Sequence, residues 1–206
     1  MRTEFKLFLL AFMFIPLLGF GQRFTAGLVG GLSATQVDGD SLGGYHKTGV
    51  VAGALSNYKI NENLSLQFEM NYIQKGSKTA NTPDSTGFAP FFRMRLGYIE
   101  VPVTLNYHFS LKSHWIASVG LSAATLMRAT EETDYVKLIT TNIKRYDFCM
   151  NAGIAWRFLP GLYLRYRFAY SIVPIRFNAT ARNRITGRGQ YNNVMEIGLV
   201  YYFRNF

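Results

Sequence analysis

The sequence predicts an all-β fold, a transmembrane antiparallel up-and-down β-barrel of about eight strands. Three observations carry this expectation. The N-terminus has the grammar of an export signal, eight apolar segments repeat with a period of two, and the connections between them alternate long and short.

The chain opens with a weakly basic stretch (Arg2, Lys6) and continues into the apolar run 7–18, followed by Gly19-Phe20-Gly21. A basic start, an apolar middle and small residues at the −3 and −1 positions predict a signal peptide over 1–21, cut after Gly21. The apolar run is too short to cross a bilayer, which needs roughly 20 residues. No cysteine follows it, which argues against an acylated lipoprotein. The remaining 22–206 make one domain, and no stretch of it is apolar enough for a spanning helix. Cys149 is the single cysteine, so no internal disulfide can form.

The formal net charge is +10, and +9 once Arg2, Glu4 and Lys6 leave with the signal. In an exported protein this points away from nucleic acid and toward outer-membrane lipid and lipopolysaccharide.

The apolar segments are 23–35, 48–58, 64–75, 93–107, 115–128, 143–158, 162–173 and 193–203. Long connections (36–47, 76–92, 129–142, 174–192) alternate with short ones (59–63, 108–114, 159–161). Short periplasmic turns and long external loops would produce that rhythm. Within segments the period is two: Leu64, Leu66, Phe68, Met70 and Tyr72 share one face, and Ser65, Gln67, Glu69 and Asn71 the other. In 162–172, Leu162, Leu164, Tyr166, Phe168, Tyr170 and Ile172 oppose Tyr163, Arg165, Arg167, Ala169 and Ser171. That repeat belongs to a strand and does not suit a helix.

The apolar face is expected to look outward, to lipid. The polar faces hold small and charged residues suited to a narrow lumen, and the apolar faces hold bulky ones. Aromatics also gather at segment ends: Tyr107, Phe109 and Trp115 at one short turn, Trp156, Phe158 and Tyr163 at another. Such girdles mark the edges of the apolar band of a membrane barrel. In 93–107 the alternation slips near Gly97, which predicts a β-bulge there. Pro102 predicts a lumen-facing ladder irregularity. The final strand, with Gly198, Tyr201, Phe203 and the terminal Phe206, has the form of a signal read by the barrel insertion machinery.

Residues 64–78 (LSLQFEMNYIQKGSK) and 98–107 (YIEVPVTLNY) resemble the small outer-membrane β-barrel proteins of Bacteroidota, the porin-family or PorT-like barrels. The resemblance runs through most of the mature chain. It implies an eight-stranded outer-membrane barrel and assigns no activity.

Two groups of residues stand out as candidate sites. A lumen charge network is expected from Glu69, Glu100, Arg145, Asp147, Arg157, Arg165, Arg167 and Glu196, with Arg95 at its margin. The interior of an eight-stranded barrel is just wide enough for side chains to fill, so these charges should pair and close it. In the last external loop, Arg176, Arg182, Arg184 and Arg188 occur without an acid and suit an anionic surface such as lipopolysaccharide phosphate. Asp38-Gly39-Asp40 reads as a tight turn, because a calcium loop needs more oxygen ligands. His46, His108 and His114 read as interfacial, and no Gly-x-Ser-x-Gly elbow occurs. The expectation is a monomeric, non-enzymatic barrel without cofactor or metal, structural or interacting through its external loops, with room for an envelope-complex partner. A narrow channel or component of a secretion or transport complex, and a membrane-embedded lipid-modifying enzyme, are the competing readings.

Overall fold

The computed structural model describes residues 23–40, 42–79, 91–109, 114–133, 136–139, 142–177, 182–183 and 187–203. The expected signal peptide and its cut lie outside the described residues. Eight long strands form the wall: β1 (Phe24–Asp38), β2 (Lys47–Lys59), β3 (Leu64–Lys78), β4 (Phe92–His108), β5 (Trp115–Thr133), β6 (Tyr146–Leu159), β7 (Leu162–Ser171) and β8 (Tyr191–Tyr202). Each pairs antiparallel with its sequence neighbour, and β8 pairs with β1, from Gly27 opposite Tyr202 to Asp38 opposite Tyr191. The ring is therefore closed and leaves no edge to satisfy in lipid. A short strand, Val136–Ile139, folds back on the outer end of β5, and Arg182–Asn183 pairs with Gly187–Arg188 in a separate ladder.

Alternating chemistry sets which face looks where. In β7, Tyr163, Arg165, Arg167, Ala169 and Ser171 are buried, whereas Leu164 and Tyr166 are exposed. Leu32, Met70, Val119, Leu121 and Met150 are all more than half exposed on the outer wall. Leaving side chains of this size in water forgoes about 1.5–3 kcal/mol each, so a belt of them is stable only under lipid. The girdle stands at the short-turn end. Tyr107 meets Phe109 at 5.4 Å, Trp115 meets Trp156 at 6.3 Å, and Trp156 meets Phe158 at 6.1 Å, all on the outward face. Tyr163 does not belong to it. It points inward and packs edge-on against Tyr202 at 5.2 Å, because its position shares the parity of Arg165 and Arg167.

β4 corrects the expected slip. Met94, Leu96, Tyr98, Glu100, Pro102, Thr104 and Asn106 are all buried, so the strand keeps one phase throughout. The lining turns apolar toward the outer mouth, and this had the look of a change of phase. A register shift does occur at Gly97/Tyr98, but the extra residue lies on β5: Gly97 faces Arg128, Tyr98 faces Leu126, and Met127 is inserted between. Pro102 does face the lumen. The β3–β4 register is interrupted opposite it, between Phe68↔Val103 and Asn71↔Glu100, where the missing N–H would have donated.

At the outer rim β2 and β3 part. Their ladder ends at Val51↔Ile73, and beyond it β1 reaches across to β3: the Ser33 hydroxyl donates to the Gln74 carbonyl at 2.9 Å and that of Thr35 to the Gly76 carbonyl at 2.8 Å. Gly49 permits the first of these contacts, since a Cβ there would lie 2.7 Å from the Ser33 hydroxyl. Gly76 has φ +132, and a Cβ on it would meet the Met94 carbonyl at 2.1 Å, so only glycine fits. Lys75, Gly76 and Ser77 are buried in succession, which breaks the alternation where β3 is covered on both sides.

Candidate functional site: the filled lumen

The lower cluster, nearer the short-turn end, is a ring of two acids and two arginines. The inward parity of β3 supplies Glu69, that of β7 supplies Arg165 and Arg167, and that of β8 supplies Glu196. Arg165 donates from one terminal nitrogen to Glu69 Oε1 and from the other to Glu196 Oε1, both at 2.6 Å. Arg167 donates to Glu69 Oε2 at 3.1 Å and to Glu196 Oε2 at 2.7 Å. Each carboxylate is thus held by both guanidinium groups, a use of the planar fork that lysine could not reproduce. Gln67 and Asn71 add donors to Glu69 at 2.7 and 2.6 Å, and Tyr202 donates to Gln67 Oε1 at 2.6 Å. All four charged side chains are at most 6% exposed.

The upper cluster is centred on Lys75. Its ammonium lies 2.9 Å from Glu100 Oε2 and 3.1 Å from Asp147 Oδ2, and donates to Cys149 Sγ at 3.4 Å. It also stands 5.2 Å from the centre of the Tyr98 ring. Ser171 donates to Asp147 Oδ1 at 2.6 Å and Asn192 to Asp147 Oδ2 at 2.8 Å. One cation serves two acids here, so Lys75, Arg165 and Arg167 together face four carboxylates. Between the walls near the lower ring a void of about 20 Å³ remains, bordered by Glu69, Arg165, Arg167 and Tyr202. That is room for about one water molecule.

Of the residues expected in the network, Glu69, Glu100, Asp147, Arg165, Arg167 and Glu196 meet inside the barrel. Arg145 does not. It precedes β6, which starts at Tyr146, so the alternation does not extend to it; its side chain is exposed and its carbonyl accepts from Leu126 N. Arg157 has inward parity but sits at the short-turn end, half-buried and apart from both clusters. Arg95 is on the outer wall, half exposed, 3.6 Å from Glu132. Lys75 was missed, although continuing the parity of Ser65, Gln67, Glu69 and Asn71 through Ile73 leads to it.

In the last long connection, Arg176 is engaged by Glu131, so its charge is neutralised rather than free for an anionic surface. The backbones of Arg182 and Arg188 pair with each other, and Arg184 lies outside the described residues. Gly198 lies on the inner face against Gly31, where a Cβ would come 2.8 Å from the Gly30 carbonyl. Tyr201 and Phe203 face outward with their rings 5.7 Å apart, and Phe206 lies outside the described residues. Asp38-Gly39-Asp40 forms the expected turn, with Gly39 at φ 88 and Asp40 accepting from Leu42 N at 2.9 Å. Burial pushes the Asp40 carboxyl up, against the lowering hydrogen bond from Leu42 N. Among the described residues no three His, Cys, Asp or Glu side chains are grouped to hold a metal. His108 bonds Ser65 at 3.1 Å.

The sequence family described as "Outer membrane protein beta-barrel domain" matches residues 19–176. The chain belongs to that family. As a member it resides in the bacterial outer membrane, in keeping with the closed ring and the apolar belt. No curated protein sequence matches it. Among solved structures it is similar to Ail, the attachment invasion locus protein of Yersinia pestis, in complex with the heparin analogue sucrose octasulfate. That match has a TM-score of 0.51 at 10% identity, covering 88% of this chain and 100% of that one. A second structure of Ail gives a TM-score of 0.50 at 10% identity over the same shares. Neisserial surface protein A gives 0.46 at 15% identity, with 88% of this chain and 96% of that one covered. The Ail likeness is one of fold.

Proposed function

We propose that this family member is a closed, monomeric outer-membrane barrel whose interior is structural and whose outer end makes the contacts by which it acts. The observation that carries the reading is the lumen itself. Seven charged side chains from five strands bond in two clusters across it, and the void beside the lower ring is about 20 Å³. An ion would have to replace charge-assisted bonds of 2.6–3.1 Å to pass. The reading is non-enzymatic as well, since the lumen carboxylates are occupied by their own cations and amides. It includes export through the signal over 1–21 and delivery of the last strand to the insertion machinery. Closer kinship with the Bacteroidota PorT-like barrels belongs to the same proposal and rests on 64–78 and 98–107.

Planar-bilayer recording of the purified barrel tests it. The expected trace is flat. Steady, discrete conductance steps would overturn the closed-lumen reading in favour of a narrow channel.

A further inference from the structure

A groove of about 480 Å³ opens on the outer wall at the rim, where β2 and β3 part. Its sides carry Lys47, Lys78, Arg93, Arg95 and Arg128, and its floor includes Tyr72 and Gly97. Among the described residues one acid answers these five cations: a single oxygen of Glu132 lies 3.7 Å from Arg93 and 3.6 Å from Arg95. Among the described residues, Lys47, Lys78 and Arg128 have no ion-pair partner. Lys47 is only 6% exposed, and its charged neighbours are Arg93 and Arg95. A buried ammonium among guanidinium groups costs free energy, and an anion in the groove would remove that cost.

The bulge contributes to the same place. In unbroken register Arg128 would face Leu96, which is buried; the inserted Met127 sets it opposite Gly97, on the outward face beside Arg95. Bulges commonly re-aim a side chain in this way. The groove lies immediately beyond the apolar belt, with Tyr72, 39% exposed, in its floor and Met127, 65% exposed, next to Arg128 along the chain. That is the level at which outer-leaflet head groups sit, at the end of the barrel with the long connections.

We infer that this groove binds the phosphorylated sugar head group of an outer-leaflet glycolipid, with Arg93, Arg95, Arg128 and Lys47 on its phosphate. The volume accommodates a phosphosugar, guanidinium forks pair with phosphate through two hydrogen bonds, and the flat face of Tyr72 suits the sugar or the first acyl carbons. The inference rests on the membrane orientation of the proposed function and is independent of whether the lumen conducts.

Native mass spectrometry of the full barrel in detergent micelles tests it with three probes: diphosphorylated lipid A, the same lipid stripped of its phosphates, and inorganic pyrophosphate. Saturable one-to-one binding is expected for the phosphorylated lipid alone. The double variant Arg95→Gln/Arg128→Gln should weaken it at least about tenfold, as loss of charge-assisted hydrogen bonds implies. Arg176→Gln, at the neutralised arginine, should leave it unchanged. Both groove arginines are exposed, and heat-dependent gel mobility confirms that each variant is folded. Unaltered binding by the double variant, or equal binding of the dephosphorylated lipid, would overturn the site. Pyrophosphate binding as tightly as the lipid would make it a free-anion site and overturn the lipid assignment. Conductance measured on the same preparation bears on the closed lumen and leaves this result untouched.

Discussion

The two charge clusters occupy one lumen, yet they are built on different principles. In the ring, two arginines each bridge both Glu69 and Glu196, so every ion has two partners of opposite sign. In the upper cluster, Glu100 and Asp147 share Lys75 alone as their ion-pair partner among the described residues, and neutral groups, Ser171, Asn192 and Cys149, complete the coordination. Guanidinium geometry allows redundancy; a single ammonium is a point charge without a substitute. The lower half of the plug should therefore tolerate loss of one cation and the upper half should not.

The largest effect is expected for Lys75→Met. It leaves two carboxylates, each no more than 2% exposed, without a cation, and should cost about 3–5 kcal/mol. Urea unfolding in lipid vesicles, followed by Trp115 and Trp156 fluorescence, would measure it. The neutral triple variant Lys75→Met/Glu100→Gln/Asp147→Asn should regain most of the loss, because no charge is left unpaired. Failure of that rescue would mean that packing of the lysine stem, rather than charge, holds the upper half. Arg165→Met should cost less, about 2 kcal/mol, because Arg167 still reaches both acids. A loss equal to that of Lys75→Met in the same assay would abolish the distinction drawn between the clusters. Cys149→Ser is the mildest change, within about 1 kcal/mol, since a hydroxyl can take over the thiol's contacts with Lys75, Asp147 and Ser171. The native thiol, 1% exposed, should resist a maleimide until the barrel is unfolded, and labelling of the folded protein would show the plug to be open.

The legibility of the lumen followed the regularity of the strands. Glu69, Asp147, Arg165, Arg167 and Glu196 sit in unbroken alternations, so their inward direction could be read from parity. Arg145 was misplaced by carrying the alternation beyond the strand, and Tyr163 was put in the girdle by nearness to a turn rather than by its parity. Met94 and Leu96 suggested a slip in β4 because apolar side chains were expected only outside; near the mouth they line the lumen. Lys75 was within reach of the same parity, but Gly76 and the buried Ser77 obscure the pattern just beyond it.

Period two, bulky residues on one face and the rhythm of the connections are local properties, and they were enough to specify a closed barrel with its greasy side outward. Which acid meets which base is not local. Glu69 and Arg167 are 98 positions apart, and they touch because ring closure and strand stagger bring β3 and β7 across one narrow axis. The basic groove has the same origin: five cations from four strands converge only where β2 parts from β3 and one inserted residue turns Arg128 outward.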